Sequence, residues 1–131
     1  MATYLLDTTV IIDFLNGKRR RRELLRSLVE QGHMLACCAV NVTEVYAGLR
    51  PPEAQKTEAF LRQLDYREVT WEIARQAGLL KNEWGKKGHT LSLGDVTLAA
   101  TALAYGLVLM TDNTKHFPMT ELRRHPTQEI Q

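Results

Sequence analysis

The chain has 131 residues, 44% of them hydrophobic and 24% charged, a balance that suits one packed core and excludes a disordered or low-complexity chain. Its formal net charge of +2 is too small to demand a nucleic-acid partner by itself. No apolar run approaches the roughly 18 residues of a membrane span, and Asp7 interrupts the first one before it reaches signal-peptide length, so a single cytoplasmic domain over residues 1–131 is expected.

Thr3 to Asp7 is expected to be a strand and Thr8 to Leu15 an apolar helix broken near Asn16-Gly17. The basic block Lys18, Arg19, Arg20, Arg21 and Arg22 then opens an amphipathic stretch with Leu24, Leu25, Leu28 and Val29 at helical spacing. A helix is expected from Arg20 to Gln31, stopped by Gly32. Arginines at a helix start oppose its dipole, so local stability gives no reason for them; a solvated face and contact with RNA phosphates both remain open.

Met34 to Val40 follows as a second strand, in which the adjacent Cys37 and Cys38 point to opposite faces as buried free thiols. Asn41 is expected to cap the next helix, with Glu44 completing a capping box. Pro51-Pro52 ends that helix and starts another, Glu53 to Leu64. A short strand, Tyr66 to Val69, leads to a helix over Trp71 to Trp84 and the polar GKKGH segment. Ser92 starts a helix to Tyr105 that Gly106 stops, and Leu107 to Thr111 is the last clear strand, followed by a loop over Asn113 to Pro118 and a less regular tail. Strands alternating with helices predict a three-layer α/β/α domain around a parallel sheet of four or five short strands.

Four acidic segments punctuate this pattern: Asp7, Glu44, Asp95, and Asp112 beside Asn113. Each acid has a plain account. Asp7 and Asp95 sit where a helix start welcomes a carboxylate, and Glu44 falls at a capping-box position. Each is also placed to converge on one site, since parallel α/β sheets gather functional groups at the carboxyl ends of strands. Converging carboxylates suit Mg²⁺ or Mn²⁺, which take oxygen ligands without a histidine or cysteine cage. His33, His89, His116 and His125 show no paired-histidine zinc spacing, and no Gly-rich phosphate loop is present. Trp71, Trp84 and Phe117 are candidates for base stacking or for core packing. Asp13, nearly two helical turns after Asp7, is expected to pair or be solvated rather than to act.

In order along the chain, LLDTTVIIDFL, NVTEVYAGL, LSLGDVTLAATAL and LVLMTDNTKHF resemble the segments that carry the acids of PIN-domain ribonucleases of the VapC toxin group. The resemblance spans nearly the whole chain. It implies a PIN-like fold and a metal-dependent endoribonuclease in which Asp7, Glu44, Asp95 and Asn113 are catalytic. Asp7 and Asp95 would hold the metal, with Glu44 and Asp112 as further candidate ligands and Thr9 and Thr111 orienting them. At the fourth corner the sequence departs from the clearest family pattern, because the threonine falls on Thr111 and the residue two further on is the neutral Asn113. Strand alternation would turn Asp112 and Thr111 to opposite faces.

The resemblance further implies structured RNA such as transfer RNA as substrate, a homodimer, and a cognate antitoxin whose peptide segment crosses the active groove. VIIDFL and AFLRQL would contribute that groove. Two rivals remain open on the residues alone: a catalytically inactive PIN-like module whose KRRRR block binds RNA or protein, and a nuclease that cuts DNA.

Overall fold

The computed structural model describes residues 1–125; residues 126–131, included in the expected single domain, lie outside the described residues. Five parallel strands, β1 (Thr3–Leu6), β2 (Met34–Cys38), β3 (Asp65–Arg67), β4 (Val108–Met110) and β5 (Arg124–His125), form one sheet in the order β3-β2-β1-β4-β5. Six helices cover it: α1 (Thr8–Leu15), α2 (Arg21–Glu30), α3 (Ala39–Ala47), α4 (Ala54–Leu61), α5 (Trp71–Lys86) and α6 (Leu93–Tyr105). The expected parallel α/β/α architecture is therefore the observed one, and the tail supplies a short fifth strand on one edge.

Alternation along the strands divides the apolar residues between two cores. Leu5, Ala36, Cys38 and Leu109 face α5 and α6, with Val96, Leu98 and Phe117 fully enclosed. Tyr4, Leu6, Cys37 and Met110 face the other way, among Ile11, Leu24 and Leu61 from α1, α2 and α4. A sheet buried on both faces needs continuous apolar strands, which is why YLL, ACC and VLM read as they do. Cys37 and Cys38 are free and buried, and burial pushes the Cys37 thiol up to about 11, which leaves it unreactive. Phe117 belongs to the core, Trp84 packs against it, and Trp71 is exposed. Among the described residues no helix is long and apolar enough to cross a membrane.

The start of α3 departs from expectation. Asn41 is not the N-cap; it lies inside the first turn, fully buried, and its side chain closes a capping box with Cys38, which occupies the N-cap. The Asn41 Oδ1 accepts the Cys38 N–H at 2.9 Å, while its Nδ2 donates to the Leu6 carbonyl at 2.9 Å and to the Thr8 hydroxyl at 3.1 Å. One amide thus ties β2, the end of β1 and the start of α1 together. β2 ends at Cys38, short of the expected Val40, because α3 begins at Ala39. Glu44 is consequently released from the expected capping box. Pro51 and Pro52 likewise begin a 3-10 turn, Pro51–Glu53, ahead of α4, so the expected helix Glu53 to Leu64 is shorter at both ends.

Because one buried side chain serves three partners, Asn41→Ala is expected to lower the unfolding free energy by about 2–4 kcal/mol. Urea unfolding at unchanged m value measures the loss, and a change below about 1 kcal/mol would show that the network carries little.

Candidate active site

The strand order places β1 and β2 on one side and β4 on the other, so the chain reverses its direction of travel across the sheet between β1 and β4. At such a switch point the loops leaving the two strands diverge and open a crevice at their carboxyl ends. Asp7 leaves β1 there and Thr111 leaves β4. The Asp7 N–H donates to the Met110 carbonyl at 2.9 Å, and the Thr111 hydroxyl donates to Asp7 Oδ2 at 2.7 Å. Asp7 stands at the N-cap position of α1 with φ −65° and ψ 148°, yet its side chain makes no capping bond. Its carboxylate is turned to the crevice although the residue is only 6% exposed.

Asp95 comes from the first turn of α6. Ser92 caps that helix by accepting the Asp95 N–H at 3.0 Å, and its side chain also hydrogen-bonds the Asp95 carboxylate. The facing group on α3 is Glu44, whose Oε1 accepts the Thr8 hydroxyl at 2.6 Å. A Cβ on Gly94 would lie 2.9 Å from Glu44 Oε2, so the glycine preceding Asp95 leaves the space that the glutamate needs.

Burial raises the Asp7 pKa above its ordinary value, and the negative charge of Asp95 adds to the shift; the Thr111 and Thr8 bonds and His116 oppose it. Asp95 is raised for the same first reason, with Glu44 adding repulsion while Ser92 and His116 oppose. Asp7, Asp95 and Glu44 thus form an electrostatically coupled set. The nearest cationic candidate is His116, whose Nδ1 lies 3.4 Å from Asp95 Oδ2. Among the described residues no group of three or more histidine, cysteine, aspartate or glutamate side chains is placed to hold a metal ion. The donors that Asp7, Asp95 and Glu44 offer are all oxygens, the kind that hard divalent cations take while keeping several waters.

The fourth corner divides as strand alternation anticipates. Thr111 turns to Asp7, and its hydroxyl also accepts the Asn113 N–H at 2.9 Å, which holds Asn113 at the edge of the crevice. Asp112 turns away to Arg21. The hydroxyl that meets a site carboxylate in the first turn of α1 is Thr8, bonded to Glu44 and Asn41, whereas Thr9 is exposed. Two residues escaped the sequence reading. Thr8 was passed over because two adjacent threonines carry no sign of which one faces inward. His116 was dismissed for lacking a zinc spacing, and its place three residues after Asn113 was the one available hint. Of the basic block, Arg21 is buried, Arg22 donates to the Phe14 carbonyl at 3.2 Å, and Arg19 remains 68% exposed near Asp13 and Asp112.

An acid-lined crevice at the switch point of a parallel α/β/α sheet defines the class of protein. A PIN-domain family model matches residues 4–121. Ribonuclease VapC19 of Mycobacterium tuberculosis is 34% identical over 115 residues, which cover 88% of this chain and 92% of that protein. The fold is similar to VapBC2 from Rickettsia felis bound to a promoter DNA fragment, with a TM-score of 0.83 at 21% identity and coverage of 95% and 98% of the two chains. It is also similar to a toxin–antitoxin complex from Klebsiella pneumoniae, with a TM-score of 0.74 at 26% identity and coverage of 92% and 98%. The chain belongs to the PIN-domain family, among the VapC ribonucleases.

For Asp7 and Asp95 the folded pKa lies above the ordinary aspartate value. The stability they contribute is therefore fully present below that value and is lost as pH rises through the raised folded pKa. In EDTA at neutral pH both carboxylates oppose folding. Asp7→Asn is expected to raise the thermal midpoint there by a few degrees and to flatten its dependence on pH. A lower midpoint with an unaltered pH slope would count against the buried charge as the cost.

Proposed function

We propose that the chain is the endoribonuclease toxin of a VapBC-type toxin–antitoxin pair, acting in the cytoplasm on structured RNA such as transfer RNA, with Mg²⁺ or Mn²⁺ held by Asp7 and Asp95. The observation that carries this reading is the electrostatic coupling of the buried Asp7 to the half-buried Asp95, and of Asp95 to the more exposed Glu44, at the switch point of the sheet. Family membership and the VapC relatives support the reaction class. When bound, the cation supplies charge neutralisation at the phosphate and acidification of water.

The chain's own residues do the positioning. Thr111 and Thr8 each fix an oxygen of a carboxylate, Asp7 and Glu44 respectively, so little side-chain freedom is left to lose when the site fills. Asn113 offers a carbonyl oxygen without charge at the remaining corner. His116, more than half exposed at the rim, stands where it can contact an RNA phosphate entering over Asp95.

The antitoxin is assigned to a groove of about 730 Å³ between α1, α2 and α4, lined by Phe14, Leu25, Val29, Phe60 and Leu64. Phe14 and Phe60 stack at 4.2 Å across it, and Val29 stands 54% exposed on its wall. This agrees with a groove built by VIIDFL and AFLRQL, and an amphipathic peptide would bury its apolar side there. A basic side chain extending from such a peptide into the acidic crevice would neutralise the carboxylates and exclude the cation. A homodimer forms part of the same reading.

The deciding experiment is cleavage of structured RNA, single-stranded RNA and DNA by antitoxin-free protein with Mg²⁺, Mn²⁺ or EDTA. Cation-dependent RNA cleavage is expected, reduced by about 100-fold or more in folded Asp7→Asn and Asp95→Asn. Undiminished cleavage in either variant, or equal cleavage of DNA, would overturn the assignment. For the groove, Val29→Asp is expected to weaken antitoxin binding by about tenfold or more while leaving RNA cleavage unchanged. Unaltered affinity would place the peptide elsewhere.

A further inference from the structure

The turn between α1 and α2 is strained. Arg19 and Arg20 both have left-handed backbone, with φ of 56° and 57°, a conformation that bulky residues rarely adopt even singly. Arg20 is the N-cap of α2 without a capping side chain, and Arg21 then starts the helix with a positive charge at the positive end of the dipole. The Arg21 side chain is nevertheless 5% exposed, with Nη2 donating to Asp112 Oδ2. Asp13 lies 3.9 Å from the same nitrogen, Nη1 reaches the Arg19 carbonyl at 3.4 Å, and Nε is buried without a hydrogen-bond partner. A strained turn, an opposed dipole and an unpaired buried donor do not serve α2. Such a combination persists where the surroundings over-determine it, which points to a purpose at the other end of the ion pair.

That other end is the loop leaving β4. Asp112 lies between Thr111, whose hydroxyl holds Asp7, and Asn113, whose N–H donates to that same hydroxyl. We propose that Arg21 is a positioning residue whose contact with Asp112 latches the loop leaving β4, so that Thr111 and Asn113 stay turned towards Asp7. Asp112 then acts through Arg21 rather than as a ligand. The inference rests on the function proposed above insofar as the corner matters for cation binding; the latch itself is a statement about the loop. Lysine cannot replace Arg21 here, because a single ammonium cannot reach Asp112 and the Arg19 carbonyl together as the planar fork does.

The test compares full-length wild type, Arg21→Lys, Arg21→Met, Asp112→Asn and the double variant Arg21→Met/Asp112→Asn, by amide hydrogen exchange and by Mn²⁺ titration without RNA. In Arg21→Lys and Asp112→Asn the Asn113 amide is expected to exchange about tenfold faster or more, with the β2 amides at wild-type rate. Mn²⁺ affinity is expected to fall by about fivefold or more, and the double variant to bind no more weakly than Arg21→Met alone. An unchanged Asn113 rate, or a uniform acceleration over the whole sheet, overturns the latch. A further loss of affinity in the double variant overturns it also, by making Asp112 a ligand. If Arg21→Met does not fold, Arg21→Lys and Asp112→Asn decide by the exchange rates. If wild type binds no Mn²⁺, the proposed function fails and the Asn113 exchange rate alone decides the latch.

Discussion

The burial of the Asp7 carboxylate is the constraint around which the rest of the molecule is organised. Withdrawing that carboxylate from water opposes folding and the charge of Asp95 adds to the cost, while the half-buried Asp95 is itself raised by burial and then by Glu44. A chain can carry that opposition only if the elements bearing the acids are held by forces unrelated to them. Here those forces are the two apolar cores on either side of the sheet and the buried Asn41 amide that joins β1, β2 and α1. The hydroxyls of Thr8 and Thr111 add a bond to Glu44 and Asp7 without neutralising either. The site is therefore rigid while it remains strongly negative.

Charge is segregated around this crevice. Asp7 and Glu44, which face inward, are given hydroxyl partners that orient them, and Asp95 has Ser92 beside it with His116 at the rim. The acids that face outward, Asp13 and Asp112, are given arginines. Exchanging the two kinds of partner would fail physically, since an arginine beside Asp7 would satisfy it permanently and remove its attraction for a cation. The alternation of Thr111, Asp112 and Asn113 at the end of β4 sorts these groups over three consecutive residues, the first inward, the second towards Arg21 and the third back to the rim.

Much of this was legible in the amino-acid order. Continuous apolar runs of strand length between amphipathic helices give a parallel sheet, and Ser92 and Gly106 mark the ends of α6 where they stand. The helix after β2 was misplaced because Asn41 matches a capping signal equally well from outside a helix or from within its first turn. Only the proximity of Leu6 and Thr8 decides between the two. Thr8 and Thr9 raised the same difficulty, since facing direction depends on where α1 settles against α3. The basic block looked uniform, yet Arg21 is internal and Arg19 external, a difference that the sequence of five like charges cannot encode.

By itself the sequence determined which residues are apolar and at what period, where helices begin and end to within a turn, and in what order the acids occur. Those properties follow from local conformational preference and from solvent, which act on each segment separately. Tertiary structure alone decided which acids face one another, which are paired away and which hydroxyls orient them. Proximity between residues 104 apart in the chain, as for Asp7 and Thr111, is set by strand order and register, and no local preference specifies it.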